Sequence, residues 1–379
     1  YIYFDNNITN QRTSQKEREK ITAEGEKKYK KYESYAQPRI VSVNVNVDIF
    51  PSTRDAVASG EYLMINKTKE EIDSIFLDHN SLISTFKFDK ETDLISEDTI
   101  YNLDIYKLKK PLYPGDSIKL LFTVKNKPNT ILRDNSSVIS NGTFINNSIF
   151  PSLGYSLNEL RDDKTRKKYD LAPNKLKPQP SDSTALGNTY IAKDADWIDF
   201  EATVSTSKDQ IAIAPGYLQK EWVEGERRYF HYKMDSKILN FYAFNSAKYE
   251  IKKDKWNDVN LEIYYHKGHE YNLDRMMKGM KAALDYCTEN FSPYQHKQLR
   301  IIEFPKTSGG FAQSFPNTIP FSESIGFIAD VDDSEEGGND YAFFVSVHEV
   351  AHQWWAHQVI GADVPVSYTH LTLPTIYSV

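Results

Sequence analysis

From Pro38 onward the chain alternates apolar and polar positions. In Ile40-Val41-Ser42-Val43-Asn44-Val45-Asn46-Val47-Asp48-Ile49 the odd positions are apolar and the even ones mostly polar. A period of two predicts a half-buried strand, because successive side chains leave opposite faces of a pleated backbone. Further strands are predicted over 60–66, 74–77, 82–88 and 101–108. The clearest carries Ile118, Leu120, Phe122 and Val124, and is entered by the turn Tyr113-Pro114-Gly115-Asp116. Short strands separated by turn signals continue to about Tyr249, so this half reads as all-β. One interruption, about 158–189, is charged and then rich in Pro and Ser, and reads as a surface excursion.

After Trp256 the pattern becomes mixed. Residues 259–265, 299–304 and 325–329 read as strands. Residues 274–290 carry Met276, Met280, Leu284 and Cys287 at helical spacing, which makes Cys287 a core residue of that stripe. An acidic run, ADVDDSEEGGND, lacks the spacing of an EF-hand and reads as a solvated loop. A long apolar helix starts near Asp340, its flanks Phe343, Phe344, Val345, Val347, Val350, Trp354 and Trp355 reading as buried. At the other end, Ser14 and Glu17 fit a capping box opening a helix. That segment has almost no apolar stripe and reads as a solvated linker helix.

Composition narrows the function classes. The chain has 379 residues, with 46 Lys and Arg against 53 Asp and Glu, for a net charge of −7. An acidic balance argues against a general nucleic-acid binder. One cysteine excludes an intramolecular disulfide and any zinc site built from several thiolates. No run approaches the 18 or so uninterrupted apolar residues of a membrane span. The expected organisation is α+β and multidomain: a charged linker helix (1–37), a β domain (38–253), a mixed α/β domain (254–364) and a tail without charge (365–379).

The chemistry concentrates on His348-Glu349-Val350-Ala351-His352. Histidines four apart leave one helix face a turn above each other and can grip one zinc ion. Glu349, beside the first ligand, is placed as the general base that takes a proton from a zinc-activated water. His357 cannot join the same ion while the helix continues, because five further residues carry it about 140° away from His352. The metzincin continuation is excluded, since its Gly and His positions are Trp355 and Gln358.

The stretch HEVAHQWWAHQVIGADV resembles the active-site helix of the aminopeptidase N family of zinc peptidases, the gluzincins. The alternating strand at 40–49, the Pro111-Leu112-Tyr113-Pro114-Gly115 turn and the run KILNFYAFNSAKYEI resemble that family's N-terminal domain and its junction into the catalytic domain. The resemblance covers residues 38–364. It implies a saddle- or sandwich-like β domain followed by an incomplete thermolysin-like α/β catalytic domain. It also implies a Zn2+ cofactor on His348 and His352, Glu349 as base, and a peptide substrate with no nucleic-acid partner. The nearest likeness is to a bacterial branch whose peptidase follows an ABC-type permease membrane domain. Residues 1–35 would then be a membrane tether in the bacterial cell membrane.

The resemblance also implies parts that this sequence does not supply. The family's third ligand is a Glu about nineteen residues after the second His, where Leu371 stands, and no acidic residue follows Asp363. The run PVSYTHLTLPT reads as the translation of a transposase sequencing-library adapter. The chain is therefore expected to be a piece cut just past its active-site helix, inactive by itself with only two ligands, and His370 is expected to be an accident of the tail. Where the family's exopeptidases carry Gly-x-Met-Glu-Asn, with the Glu holding the substrate's α-amine, this chain has Gly309-Gly310-Phe311-Ala312-Gln313-Ser314-Phe315. Gln313 or Ser314 falls at the Glu position, and Glu323 is a further candidate for the amine. The alternative for that segment is an edge strand and turn without a substrate role. The expected function is that of a zinc metallopeptidase, with an aminopeptidase, an endopeptidase and a non-catalytic peptide-binding module serving a permease as its alternatives.

Overall fold

The structure is a computed structural model that describes residues 13–79, 84–126, 137–174, 181, 189, 191–331 and 340–362. The tail 365–379 with His370, the acidic residues 332–339 and much of the 158–189 excursion lie outside the described residues.

The first part runs α1 (Gln15–Tyr29), β1 (Arg39–Phe50), β2 (Asp55–Ile65), β3 (Ile72–Asp78), β4 (Ser84–Phe88), β5 (Thr92–Asp98), β6 (Leu103–Leu112), β7 (Ser117–Asn126), β8 (Thr143–Asn146) and β9 (Ser152–Leu153). It continues with α2 (Asp163–Lys168), β10 (Ala195–Ser207), β11 (Ile211–Ile213), β12 (Tyr217–Glu224), β13 (Arg227–Lys233) and β14 (Ala243–Ala247). Then come β15 (Tyr249–Trp256), β16 (Val259–His266), α3 (Leu273–Asn290), β17 (Gln298–Phe304), β18 (Thr318–Ser322) and α4 (Tyr341–Ala351). The molecule is mostly β, with a few helices.

β1 lies inside a seven-stranded sheet ordered β12-β13-β10-β1-β2-β7-β4. Val43, Val45, Val47 and Ile49 face its core while Asn44 and Asn46 face out, as the period of two requires. Ile40 and Val41 break the alternation, yet both are buried. The register shifts between Ile40 and Ser42 against both neighbours, and this bulge turns two consecutive apolar residues inward.

The solvated linker helix is corrected along one face. The capping box forms as predicted, with Ser14 Oγ accepting from Glu17 N and Glu17 Oε2 from Ser14 N. However, Ala23, Gly25, Glu26 and Tyr29 are buried. Gly25 lies against the Tyr101 ring, where an added Cβ would come within 2.4 Å. Tyr29 donates to Asp98 at 2.5 Å, and Arg166 of α2 forks onto Glu26 at 3.0 and 2.6 Å. The docking face is made of an alanine, a glycine, a carboxylate and one tyrosine, too few apolar positions to announce a hydrophobic stripe.

The second part is a four-stranded sheet ordered β15-β16-β17-β18. β16, β17 and β18 run parallel, and β15 pairs antiparallel with β16. β15 therefore belongs to this sheet, which begins at Tyr249, and a boundary at 253/254 would cut through the strand. Residues 325–329 are not a strand: a 3-10 turn occupies Glu323–Ile325 and the last strand is β18. Pro320 argues against a strand in that segment, but β18 is the outermost strand of its sheet, where proline is tolerated. Met276, Met280, Leu284 and Cys287 of α3 are buried against the sheet, as their spacing predicts. No described helix is long and apolar enough to cross a membrane.

Candidate active site

α4 starts at Asp340, whose carboxylate caps Phe343 N at 2.9 Å and pairs with Arg275 at 2.9 Å. It packs closely on α3: a Cβ at Gly279 would stand 2.8 Å from Phe343 O. Val350 and Trp354 are buried as expected, but Phe343, Val345, Val347 and Trp355 are only half-buried and Phe344 is exposed, so one flank of the helix is open. The helix ends at Ala351 and His352 is its C-cap, so the two histidines occupy the last turn. Ala356, with φ of 140°, then folds the chain back in a conformation that side-chain-bearing residues rarely adopt.

His348 Nε2 and His352 Nε2 lie 3.2 Å apart. A tetrahedral zinc ion, with bonds of about 2.0–2.1 Å to nitrogen, holds two such atoms about 3.3 Å apart. His352 Nδ1 bonds the Trp355 carbonyl at 3.0 Å, and a carbonyl can only accept. The Nδ1 nitrogen therefore carries the proton, and the Nε2 lone pair faces His348. Burial, with the neighbouring His352 adding to it, holds His348 down to about 4; burial lowers His352 as well. Both rings are thus neutral at physiological pH, as a metal ligand must be.

Glu349 is 6% exposed. Burial pushes its carboxyl up to about 8, against the pull of the Ser314 N–H that donates to it. These donors fit a zinc ion. Among the described residues no third His, Cys, Asp or Glu joins His348 and His352 within ligand distance.

The other predicted residues divide. Ser314 reaches the site: besides its contact with Glu349, its Oγ accepts from Gln353 at 2.6 Å and its carbonyl from His357 at 3.0 Å. Gln313 is its neighbour on an edge segment and pairs its backbone N–H with Pro320 O at 3.0 Å. Glu323 is engaged elsewhere, accepting from Lys306 N at 3.1 Å within a group formed by His266, His269 and Glu303. His357 does not join His348 and His352, but not because a helix continues past it. The helix has already ended, and the bond to Ser314 holds the ring away.

Sequence reasoning missed Gln353, which is fully buried, bonds Ser314 Oγ and Phe315 O, and accepts from Asn317 N at 2.9 Å. A glutamine directly after the motif on an apolar helix was its only signal. The His266, His269, Glu303 group was missed as well.

Two buried histidines behind the site make stability acid-sensitive. Burial lowers His296 to about 4 and His357 to about 3. The unfolded chain protonates both near 6.5, so their neutral folded forms are fully stabilising above that value. As pH falls below 6.5 the unfolded state binds protons that the folded state refuses, and stability drops by about 1.4 kcal/mol per pH unit for each group. His357→Gln keeps a donor for Ser314 and is expected to remove one proton from this slope. Denaturant unfolding of parent and variant from pH 7 to 4 checks it.

A mostly β body leads into a small mixed sheet and a His-Glu-x-x-His helix, and this fold resembles the N-terminal and partial catalytic regions of solved M1 zinc metallopeptidases. Among solved structures, the chain is similar to an M1 zinc metallopeptidase from Deinococcus radiodurans (TM-score 0.53, 13% identity, 86% of this chain and 66% of that one). It is similar also to an alanine mutant of that enzyme (TM-score 0.53, 12% identity, 85% and 65%). A third is a two-domain M1 zinc metallopeptidase mutant bound to L-arginine (TM-score 0.52, 13% identity, 86% and 67%). At such identities the likeness is one of fold. The chain spans about two thirds of the length of these structures. No protein-family model matches the chain, and no curated protein does.

Proposed function

We propose that this chain carries the zinc-binding helix of a metallopeptidase that hydrolyses peptides, preferentially near a free N-terminus. The observation that carries the reading is the pair of neutral imidazole nitrogens 3.2 Å apart with a buried carboxylate on the residue between them. His348 and His352 would hold Zn2+, and the set would be completed by a Glu that this sequence does not supply. Zinc, when bound, polarises a water and lowers its pKa.

The chain's own residues supply the rest. Trp355 O fixes the His352 ring, and burial keeps both imidazoles neutral. Glu349, shielded from solvent, takes and returns a proton at its carboxylate. The segment of Gln313 and Ser314 lies beside Glu349, where it would border an extended peptide held in the site. The parent polypeptide, on this reading, also carries a permease-type membrane domain in a bacterial membrane.

The neutral Gln313-Ser314 pair favours a second reading. Without a carboxylate there, a substrate ammonium gains no charge-assisted bond, so an endopeptidase or a non-catalytic peptide-binding module fits that segment as well. Hydrolysis of matched free and N-blocked peptides by the full-length protein separates the three. The expected result is cleavage that a chelator abolishes, zinc restores and N-blocking slows. Equal rates on blocked peptides would make it an endopeptidase. Zinc retention with no cleavage would leave the binding module.

A further inference from the structure

The carboxyl ends of the three parallel strands gather a second set of ligand-bearing side chains. His266 is the last residue of β16, His269 lies in the turn after it, Glu303 is next to last in β17 and Glu323 directly follows β18. One ligand atom from each lies within 4.8 Å of all the others. Glu303 is fully buried; its Oε2 accepts from His266 N at 2.6 Å, and its Oε1 faces His266 Nδ1 at 3.3 Å and bonds His269 Nδ1. His266 is more than nine-tenths buried, stacks on Tyr249 with ring centroids 5.6 Å apart, and leaves its Nε2 without a partner.

A fully buried carboxylate beside a buried imidazole carries an unbalanced charge unless a neighbouring ring is protonated or a cation sits among them, and His269 and Glu323 complete the set from partly exposed positions. Two imidazole nitrogens and two carboxylate oxygens make a complete four-donor set for a divalent transition ion, and such a closed set with no open position is that of a structural zinc site. Three of the four donors stand at or beside strand ends, which fixes their spacing. In open α/β sheets that end of the strands is where ligands collect.

We propose that His266, His269, Glu303 and Glu323 form a structural site for a divalent transition-metal ion, zinc by its donors, separate from His348 and His352. The bound ion ties Glu323 to β16 and β17, and Glu323 in turn holds Lys306 N, the start of the segment that leads to Gln313 and Ser314. Occupancy therefore stiffens the edge that faces Glu349. This inference stands whether or not the chain is a peptidase.

The test uses the full chain with His348→Ala and His352→Ala, which removes the first pair of donors. Stripped of metal and titrated with Zn2+ by calorimetry, this protein is expected to bind a single ion and to melt at a higher temperature when loaded. Co2+ in place of zinc is expected to give the visible absorption of a four-coordinate nitrogen and oxygen site. Adding Glu323→Gln or His269→Ala, both at partly exposed positions, should weaken binding about 100-fold or more, given that even a lost outer-shell partner costs about 10–100-fold. Metal-free melting of each variant shows whether its fold is kept. Absence of zinc binding in the folded His348→Ala, His352→Ala protein would overturn the proposal. So would binding that both further variants leave unchanged, and in either case the ion-pair network alone would account for the cluster.

Discussion

In the full-length protein Glu349→Gln is expected to lower kcat for peptide hydrolysis by about 10³-fold, within the range of about 10²–10⁴ that a positioned general base contributes. At about 1.4 kcal/mol per tenfold, that is a loss of about 4 kcal/mol of transition-state stabilisation. Zinc content should not change, because the ligand atoms belong to His348 and His352 and the amide is nearly isosteric with the carboxylate. KM should move little, since the proton is transferred only as the transition state is reached. The environment of Glu349 explains why this group suits the task. Burial raises its carboxyl to about 8, and the Ser314 N–H pulls the other way. A dication beside it favours the ionised form, so the loaded site would hold a carboxylate able both to take a proton and to give it back near neutral pH. The measurement is steady-state hydrolysis of a free-amine peptide by parent and variant, with metal content determined on the same samples. Activity within threefold of the parent would remove Glu349 from the mechanism. His352→Ala makes the contrast, since it should lose metal and activity together.

The motif was legible because its geometry is local. Two histidines four apart on a helix share a face whatever the rest of the chain does. The strands were legible for the same reason: β1 and β7 announce themselves by alternation, and even the defect at Ile40 and Val41 is a bulge that the sequence spells as two consecutive apolar residues. What was not legible is assembled at a distance. β15, with Lys252, Lys253, Asp254 and Lys255, looks like a polar trailing end of the β domain, and only its pairing with β16 assigns it to the next sheet. β18 was hidden by Pro320. The apolar residues Ile325, Phe327 and Ile328 imitate a strand but belong to a turn. His266 and Glu303 are 37 positions apart, and parallel crossovers bring them together without any sequence spacing that would signal it. The docking of α1 is the extreme case, since Glu26 and Arg166 meet across 140 positions.

That contact carries the largest stability effect expected outside the core. Glu26→Ala should destabilise the chain by about 3–5 kcal/mol, the cost of leaving one partner of a buried ion pair without the other. Both side chains are about 5% exposed. Arg166 is held on every side, with Nε on Ala172 O at 2.6 Å, Nη1 on Leu160 O at 2.7 Å and the fork on Glu26. It cannot swing out to water when the carboxylate goes, so its charge stays buried and unbalanced. The pair itself need not be stabilising against an apolar alternative: Glu26→Met with Arg166→Met should recover most of what Glu26→Ala loses, because desolvation of both charges is then avoided. Denaturant unfolding of the three variants measures this, and protease cleavage within 15–29 reports whether α1 has come off the β domain. A solvated tether predicts the opposite result, with each single variant within about 0.5 kcal/mol of the parent, as for ordinary surface positions.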